Sequence, residues 1–497
     1  MKKQISSLTL LLLLSVQLIS QNSSDALRYS RILYGGTARF QGLGGAYGAV
    51  GADFSVVATN PAGLGIFRSS EITISPSGWI SNTSSEYNGV ASSETKGNFA
   101  LGDFGIVFSL KPQKTNKAGG FRNFNFAIGL NRQNDFNNNT FMQGPNDKNT
   151  YPANHQSSMM TDWVNILNNQ YLTYQAVDNN YQFDIGLAHQ ANLIYLDDTL
   201  NRIYANDAKN GGVYQQKMVY TYGSINEFDF SFGTNYNDVL YFGATIGIPF
   251  IRYFENSQYQ EFKTDMTIPY FRSLTYTQML QTHGTGINFK AGIIYSPVKW
   301  VRIGASIHTP TYYGFMRDNY NSSMIATFDS LNSTPQYSPD GYYDYQMMTP
   351  FRAIGSLAFI IGQFGLVSAE YEFVNYDQAR FYSSGTNEFT GVNDEIKAKY
   401  KIPLNLRFGT EWRIWDFRIR GGFGYSGTPY VNSQSNIGER FSASGGIGYR
   451  GRYFFTDLTY VWSQMKKEYY FYDSNLVNPS HNTQTSSTII GTLGFRF

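Results

Sequence analysis

Residues Lys401–Ile414, KIPLNLRFGTEWRI, alternate with a period of two. Ile402, Leu404, Leu406, Phe408, Trp412 and Ile414 fall on one face, and Asn405, Arg407, Glu411 and Arg413 on the other. Successive side chains of a strand point to opposite faces, so this is a strand with one apolar and one polar side. VRIGASIH (Val301–His308) sets Val301, Ile303, Ala305 and Ile307 against Arg302, Ser306 and His308. GLVSAEYEF (Gly365–Phe373) sets Val367, Ala369, Tyr371 and Phe373 against Ser368, Glu370 and Glu372. A soluble sandwich alternates too, with its apolar face turned inward. Here Trp300, Trp412, Trp415, Tyr453 and Phe454 cluster at strand ends beside short turns, as in the aromatic girdles of a membrane barrel. Arg and Glu recur on the opposite face, which suits a wet or plugged lumen and not a dry core.

Working outward, the pattern predicts strands near 69–84, 97–111, 121–134, 213–234, 239–262, 284–296, 300–316, 344–361, 365–382, 402–414, 416–427, 439–450, 453–471 and 486–497. The expected fold class is all-β: a transmembrane antiparallel β-barrel of about 14 strands, an even number that leaves both ends in the periplasm. Short connections at Asn235–Asp238, Ser296–Trp300, Gly362–Phe364, Ile414–Phe417 and Arg450–Tyr453 alternate with long ones at about 263–283, 317–343, 383–400, 428–438 and 472–485. Outer-membrane barrels pair short periplasmic turns with long outer loops in this way. The largest interruption, 135–212, contains a helical stripe of Met160, Trp163, Leu167 and Tyr171, capped by Ser157 or Ser158. That stripe packs over the barrel rim or forms a surface patch that captures an apolar ligand.

Composition agrees. Charged residues are 15% of the chain, aromatics 17%, and the formal net charge is +2, so there is no bulk case for nucleic acid. Lys2 and Lys3 precede LTLLLLLSVQLIS (Leu8–Ser20), a basic start and a short apolar run that read as a secretory signal over residues 1–20. The chain has no cysteine, which excludes disulfides and thiolate metal sites. Its five histidines, His155, His189, His283, His308 and His481, form no spaced pair, so neither a metal nor a haem site is called for and no cofactor is expected. Ser, His and Asp occur without the spacing of a hydrolase, so no enzyme activity is expected.

Between signal and barrel, residues 21–68 are rich in glycine and end in Asn60-Pro61-Ala62-Gly63-Leu64. A barrel of about 14 strands is too wide for its own side chains to fill, and a compact, small-sided segment is expected to plug it. Asn60 is placed to cap a helical turn that starts at Pro61. GLGGAYG (Gly42–Gly48) looks like a dinucleotide loop but lacks the preceding buried strand.

ARFQGLGGAYGAVGADFSVVATNPAGL (Ala38–Leu64) resembles the N-terminal hatch of the FadL family of outer-membrane transporters for hydrophobic compounds. GTGINFKAGIIYSPVKWVRIGASIHTPT (Gly284–Thr311), TPFRAIGSLAFI (Thr349–Ile360) and PLNLRFGTEWRI (Pro403–Ile414) extend the resemblance, and STIIGTLGFRF at the C-terminus resembles the assembly signal of outer-membrane barrels. The resemblance implies a 14-strand barrel with the hatch inside. It implies passive uptake of long-chain fatty acids or aromatic hydrocarbons, which leave sideways into the membrane. It places the family's hatch motif on Asn60, Pro61 and Ala62, followed by Gly63. Some relatives have been labelled haemin receptors, and others serve as subunits of larger outer-membrane complexes, including the shuttle of the type IX secretion system. The expected partners are a hydrophobic small molecule, outer-membrane lipid and, in the second reading, an outer-membrane protein complex. A carboxylate head would want a lumen cation; the candidates are Lys290, Arg302, Arg407, Arg413, Arg418 and Arg420, with Glu370, Glu372 and Glu411 as their expected partners. The same residues would equally serve as an ion network that holds the hatch.

Overall fold

The computed structural model describes residues 21–111, 120–146, 158–170, 174–197, 203–208, 212–266, 268–330, 333–383, 388–431 and 436–497. The expected signal, 1–20, lies outside them, as do Ser157, Tyr171 and His155. Fourteen antiparallel strands close into a barrel. They are β1 (Glu71–Tyr87), β2 (Val90–Leu110), β3 (Phe121–Asp135, continued as Asn138–Asn146), β4 (Val213–Tyr236), β5 (Leu240–Lys263), β6 (Phe271–Val298) and β7 (Val301–His308, continued as Tyr312–Phe328). The rest are β8 (Gly341–Met348, then Arg352–Ile361), β9 (Gly365–Val374, then Arg380–Tyr382), β10 (Asn405–Ile414), β11 (Phe417–Ser426), β12 (Arg440–Arg450), β13 (Phe454–Tyr469) and β14 (Ser480–Arg496). Pairing of β1 with β14, from Glu71↔Arg496 to Glu86↔His481, closes the ring.

The outer face carries exposed apolar side chains on strand after strand, among them Phe126, Phe228, Phe289, Leu357, Phe408 and Ile447. So large a contiguous apolar surface is intolerable in water and is covered by lipid. The expected outer loops at 263–283 and 317–343 are mostly strand instead: β6 begins at Phe271, and β7 continues to Phe328 against it. Above the lipid nothing selects an apolar outer face, so the alternation that marked the strands fades while the Thr- and Tyr-rich backbone keeps pairing. β6 has 28 residues, roughly 90 Å at about 3.3 Å each, against an apolar belt only ~25 Å tall. The upper half of this wall therefore stands outside the membrane.

There it encloses a second hydrophobic core. Helices α4 (Met159–Gln170), α5 (Tyr174–Asn180) and α6 (Ile185–Gln190), all from the predicted 135–212 interruption, pack against Tyr259, Phe271, Tyr276 and Met324 of the wall. The N-terminus of α4 is seated on Glu261, which accepts from the Met159 N–H at 2.8 Å and from the Ser158 hydroxyl. Ser158 Oγ in turn accepts from Met160 N–H at 3.1 Å, the expected cap.

Residues 21–67 fill the lumen, as expected of a plug. Helices α1 (Ser23–Ser30), α2 (Ala38–Gly42) and α3 (Val56–Thr59) lead to a 3-10 helix, Pro61–Ile66. Asn22 and Thr37 cap α1 and α2 with their side chains. Phe40, Leu43, Tyr47, Phe54, Val57 and Leu64 form the plug's own core. Its upper end reaches the outer loops: α7 (Thr390–Lys399) clamps Ser23, which donates to Glu395, and Tyr400 Oη donates to the Ser23 carbonyl at 2.9 Å.

Candidate functional site

The plug lies against the wall along rows of glycine and serine. Gly233, Gly243 and Gly292 are neighbours in register across β4, β5 and β6, with Ser306 of β7 next in the row. Asn60–Gly65 lies flat on this row: a Cβ on Gly243 would come within 2.1 Å of the Pro61 carbonyl, and one on Gly292 within 1.9 Å of Asn60 Oδ1. Asn60 Oδ1 accepts from Ala62 N–H at 3.2 Å, the expected cap, while Nδ2 donates to the carbonyls of Gly48 (2.6 Å) and Ile293 (3.3 Å). Ser306 Oγ donates to the Thr59 carbonyl at 2.8 Å, and His308 Nε2 lies 2.7 Å from the same oxygen. A second row, Ser368, Gly409, Gly422 and Ser444, receives Gly42–Ala46, with hydroxyls donating to the Ala46 (2.7 Å) and Gly42 (3.3 Å) carbonyls. Asn60, Pro61, Ala62 and Gly63 are all buried here.

Of the expected lumen cations, Arg407 and Arg420 join buried networks. Arg407 bridges Glu370 (2.6 Å) and Glu372, and Glu372 also takes Arg352. Glu370 reaches the plug by accepting from Gly48 N–H at 2.8 Å, and Arg352 donates to the Ser30 carbonyl. Glu411 is held between Arg420 (2.7 Å) and Arg39 of the plug (2.9 Å), and Arg420 continues to Asp457 at 2.6 Å. Arg302 has no carboxylate partner among the described residues and donates to the plug carbonyl of Val50 at 2.7 Å. Three expectations are corrected. Lys290 pairs with Glu227 and with Asp229 (3.1 Å), not with the acids of β9 and β10. Arg413 is exposed and Arg418 donates to the carbonyls of Trp415 (2.8 Å) and Phe417 (2.7 Å), so both sit at the β10–β11 turn, below the networks. Met160, Trp163 and Leu167 are buried at 1%, 5% and 0% exposure in the outer core, so they form no surface capture patch. The bonds of the wall residues Glu411, Arg302, Glu370 and Arg352 all reach the plug, so the charged face of the wall is tied to it.

One stretch of wall is not closed by strands. β2 runs up to Val90 along β1, but its pairing with β3 ends at Asp103↔Asn131. Gly102 is bulged out of the β1–β2 ladder beside Pro76, β3 shifts register between Arg132 and Asn134, and it breaks at 136–137 before continuing behind β1 and β2. Plug residues occupy the vacated edge: Leu33 N–H donates to the Gln133 carbonyl and Gly35 N–H to that of Arg132, both at 2.8 Å, while Asn134 Nδ2 donates to the Arg31 carbonyl at 2.9 Å. Behind this gap lies a cavity of about 180 Å³, lined by Leu33, Trp79, Val461, Met465 and Ile490 among polar Ser and Thr side chains. A smaller one of about 80 Å³ adjoins it, and Tyr34, Gln41 and Arg440 line both. Arg440 has no carboxylate partner among the described residues, and the buried Tyr34 hydroxyl has no hydrogen-bond partner there. Burial, then the Glu372 carboxylate, raises the Tyr34 hydroxyl well above its ordinary value, so it stays neutral and able to donate. Sequence reasoning missed Glu227, Asp229, Tyr34 and Arg440.

No family model matches this chain, and no curated protein does. Solved structures do. A Pseudomonas aeruginosa FadL homologue is similar over 94% of this chain and all of its own, at 11% identity and a TM-score of 0.54. The P. putida toluene transporter TodX is similar over 93% of this chain and 99% of its own, at 10% identity and a TM-score of 0.52. The Ralstonia pickettii toluene transporter TbuX covers 93% and 98%, at 14% identity and a TM-score of 0.50. Over nearly its whole length the chain has the fold of the FadL family of outer-membrane channels, a 14-strand barrel stopped by its own N-terminal segment.

Proposed function

We propose that this protein admits hydrophobic small molecules from outside the cell and releases them sideways into the outer membrane through the gap between β2 and β3. The observation that carries this reading is the strand edge of β3 at Arg132–Gln133, satisfied by the plug and not by β2. An open sheet edge is not tolerated in lipid unless it lines a cavity; here it does, and a shift of residues 31–36 is all that separates cavity from bilayer. Neighbours of the same fold include the toluene transporters TodX and TbuX, and the cavity of about 180 Å³ compares with the roughly 150 Å³ that holds one benzene. Arg440 and the Tyr34 hydroxyl add a seat for a carboxylate head, which favours fatty acids over neutral hydrocarbons. A long acyl tail exceeds the closed cavity and would have to lie in the gap, on the way out.

A disulfide tests the exit. An ideal Cβ on Gly35 lies 3.2 Å from that of Arg132, a few tenths of an ångström short of the roughly 3.5–4.5 Å a disulfide spans, and the native chain has no cysteine. Gly35→Cys with Arg132→Cys should abolish uptake of labelled oleate and of toluene when oxidised and restore it on reduction. Undiminished uptake through the locked gap would refute lateral release. Use of the fold as a complex subunit would show as a stoichiometric outer-membrane partner and no uptake in either state.

A further inference from the structure

We propose that the periplasmic rim of the barrel is a seat for the anionic phospholipid headgroups of the inner leaflet. At the β10–β11 turn Arg413 and Arg418 stand directly opposite each other in register. Like charges so placed destabilise a sheet, and no carboxylate among the described residues pairs with either; Arg418 is held by turn carbonyls alone. Between them Trp415 is 91% exposed, in a left-handed backbone conformation (φ 53°) that bulky residues seldom adopt. The turn between β12 and β13 abuts this one, through Arg450 N–H donating to the Asp416 carbonyl at 2.9 Å. It repeats the chemistry: Arg452 lies 5.2 Å from the ring centre of an exposed Tyr453. At the β6–β7 turn an exposed Lys299 precedes an exposed Trp300. Against these cations the adjoined turns offer the carboxylate of Asp416; that of Asp238, farther round the rim, is taken by Arg68.

A cation beside an exposed aromatic ring, at turn after turn and continuous with the apolar belt, matches a lipid boundary. The ring sits at the glycerol level and the cation reaches the phosphate. An acidic soluble protein would need the charge but not the rings, so the lipid is the occupant we assign. Arginine forks take two phosphate oxygens at once, which suits a diester headgroup.

The full-length protein in vesicles tests this through quenching of its tryptophans by brominated phosphatidylglycerol or brominated phosphatidylethanolamine. The native chain should favour the anionic lipid, with each rim cation contributing about fivefold at low salt. Lys299→Gln, Arg413→Gln, Arg418→Gln and Arg452→Gln together should erase the preference, whereas Lys299→Arg, Arg413→Lys, Arg418→Lys and Arg452→Lys together should retain it. Inorganic phosphate at millimolar concentration should not compete. Equal quenching by both lipids, a preference that survives in the folded neutral variant, competition by phosphate alone, or charge-dependent capture of an acidic protein without lipid preference would each overturn the proposal.

Discussion

Gly35 donates its backbone N–H to the carbonyl of Arg132 across 2.8 Å, so a plug residue takes the hydrogen-bonding place that a barrel strand leaves empty. The bond costs little to exchange: a peptide hydrogen bond nets only about 1 kcal/mol in folding. Two such bonds, from Leu33 and Gly35, hold this edge, whereas the lower plug is fixed by glycine rows and buried ion pairs. On the proposed reading, the segment beside the gap is the part of the plug that moves while the remainder stays seated.

Adding a methyl group where the plug lies flat should unseat it. Gly292→Ala would set a carbon 1.9 Å from Asn60 Oδ1, and Gly243→Ala one 2.1 Å from the Pro61 carbonyl. Gly445→Ala, with nothing within 4 Å, is the control. Single-channel recording in planar bilayers should show new, ion-conducting openings in the first two variants and none in the third. Asn60→Ala should act in the same direction more mildly, at about 1–2 kcal/mol, since it removes a cap and two donated bonds.

Glu411→Gln should loosen the plug from the opposite wall. Glu411 is 2% exposed and balances Arg39 and Arg420, so its neutralisation leaves buried guanidinium charge uncompensated. Breaking a buried pair in this way costs about 3–5 kcal/mol. The exposed Arg317–Asp344 pair is screened by solvent and contributes little. Protease cleavage within residues 31–60 should accelerate strongly in Glu411→Gln and little in Asp344→Asn, while the barrel itself stays resistant.

The outer helices should tighten in mild acid. Burial pushes the Asp184 carboxyl up to about 6, with Asp162 adding a like charge, and burial pushes Asp162 up to about 6 as well, with Asp473 adding to it. A carboxyl raised in the folded state binds more protons folded than unfolded, so stability falls as pH rises from about 4 through 6. Hydrogen exchange in α4 and α6, corrected for intrinsic rates, should therefore be slower at pH 5 than at pH 7. Asp184→Asn with Asp162→Asn should flatten that dependence; exchange that stays pH-dependent in this variant would assign it to other groups.

The barrel was readable because lipid enforces a strict period of two at membrane depth, as Phe408, Trp412 and Ile414 show. The same signal lies in SINEFDFSFG (Ser224–Gly233), where Phe228, Phe230 and Phe232 alternate with the buried Glu227 and Asp229, so the partners of Lys290 are legible in the sequence. Above the lipid the constraint disappears, and strand became confused with loop at Phe271–His283. A helical stripe such as Met160, Trp163 and Leu167 shows that one face is covered but not by what. The gap left little trace: Pro76 and Gly102 hint at a bulge, yet which strand fails to pair depends on the closed ring and not on local residue type.

Arg440 offers a test between the two classes of cargo. It lines both cavities and pairs with no carboxylate among the described residues, the Asp135 carboxylate of the larger cavity being taken by Arg132 at 2.5 Å, and a cation kept there without a partner is a cost the fold bears for some other gain. If a carboxylate head supplies the missing charge, Arg440→Gln should weaken binding of oleate at least tenfold, the loss of one charge-assisted hydrogen bond worth about 1.5–3 kcal/mol. Toluene offers the guanidinium only its ring, so its binding should change by less than threefold. Titration of both ligands into detergent-solubilised protein, followed by calorimetry, reads the two numbers side by side. Loss of both to the same degree would show that Arg440 shapes the cavity and does not select the head group.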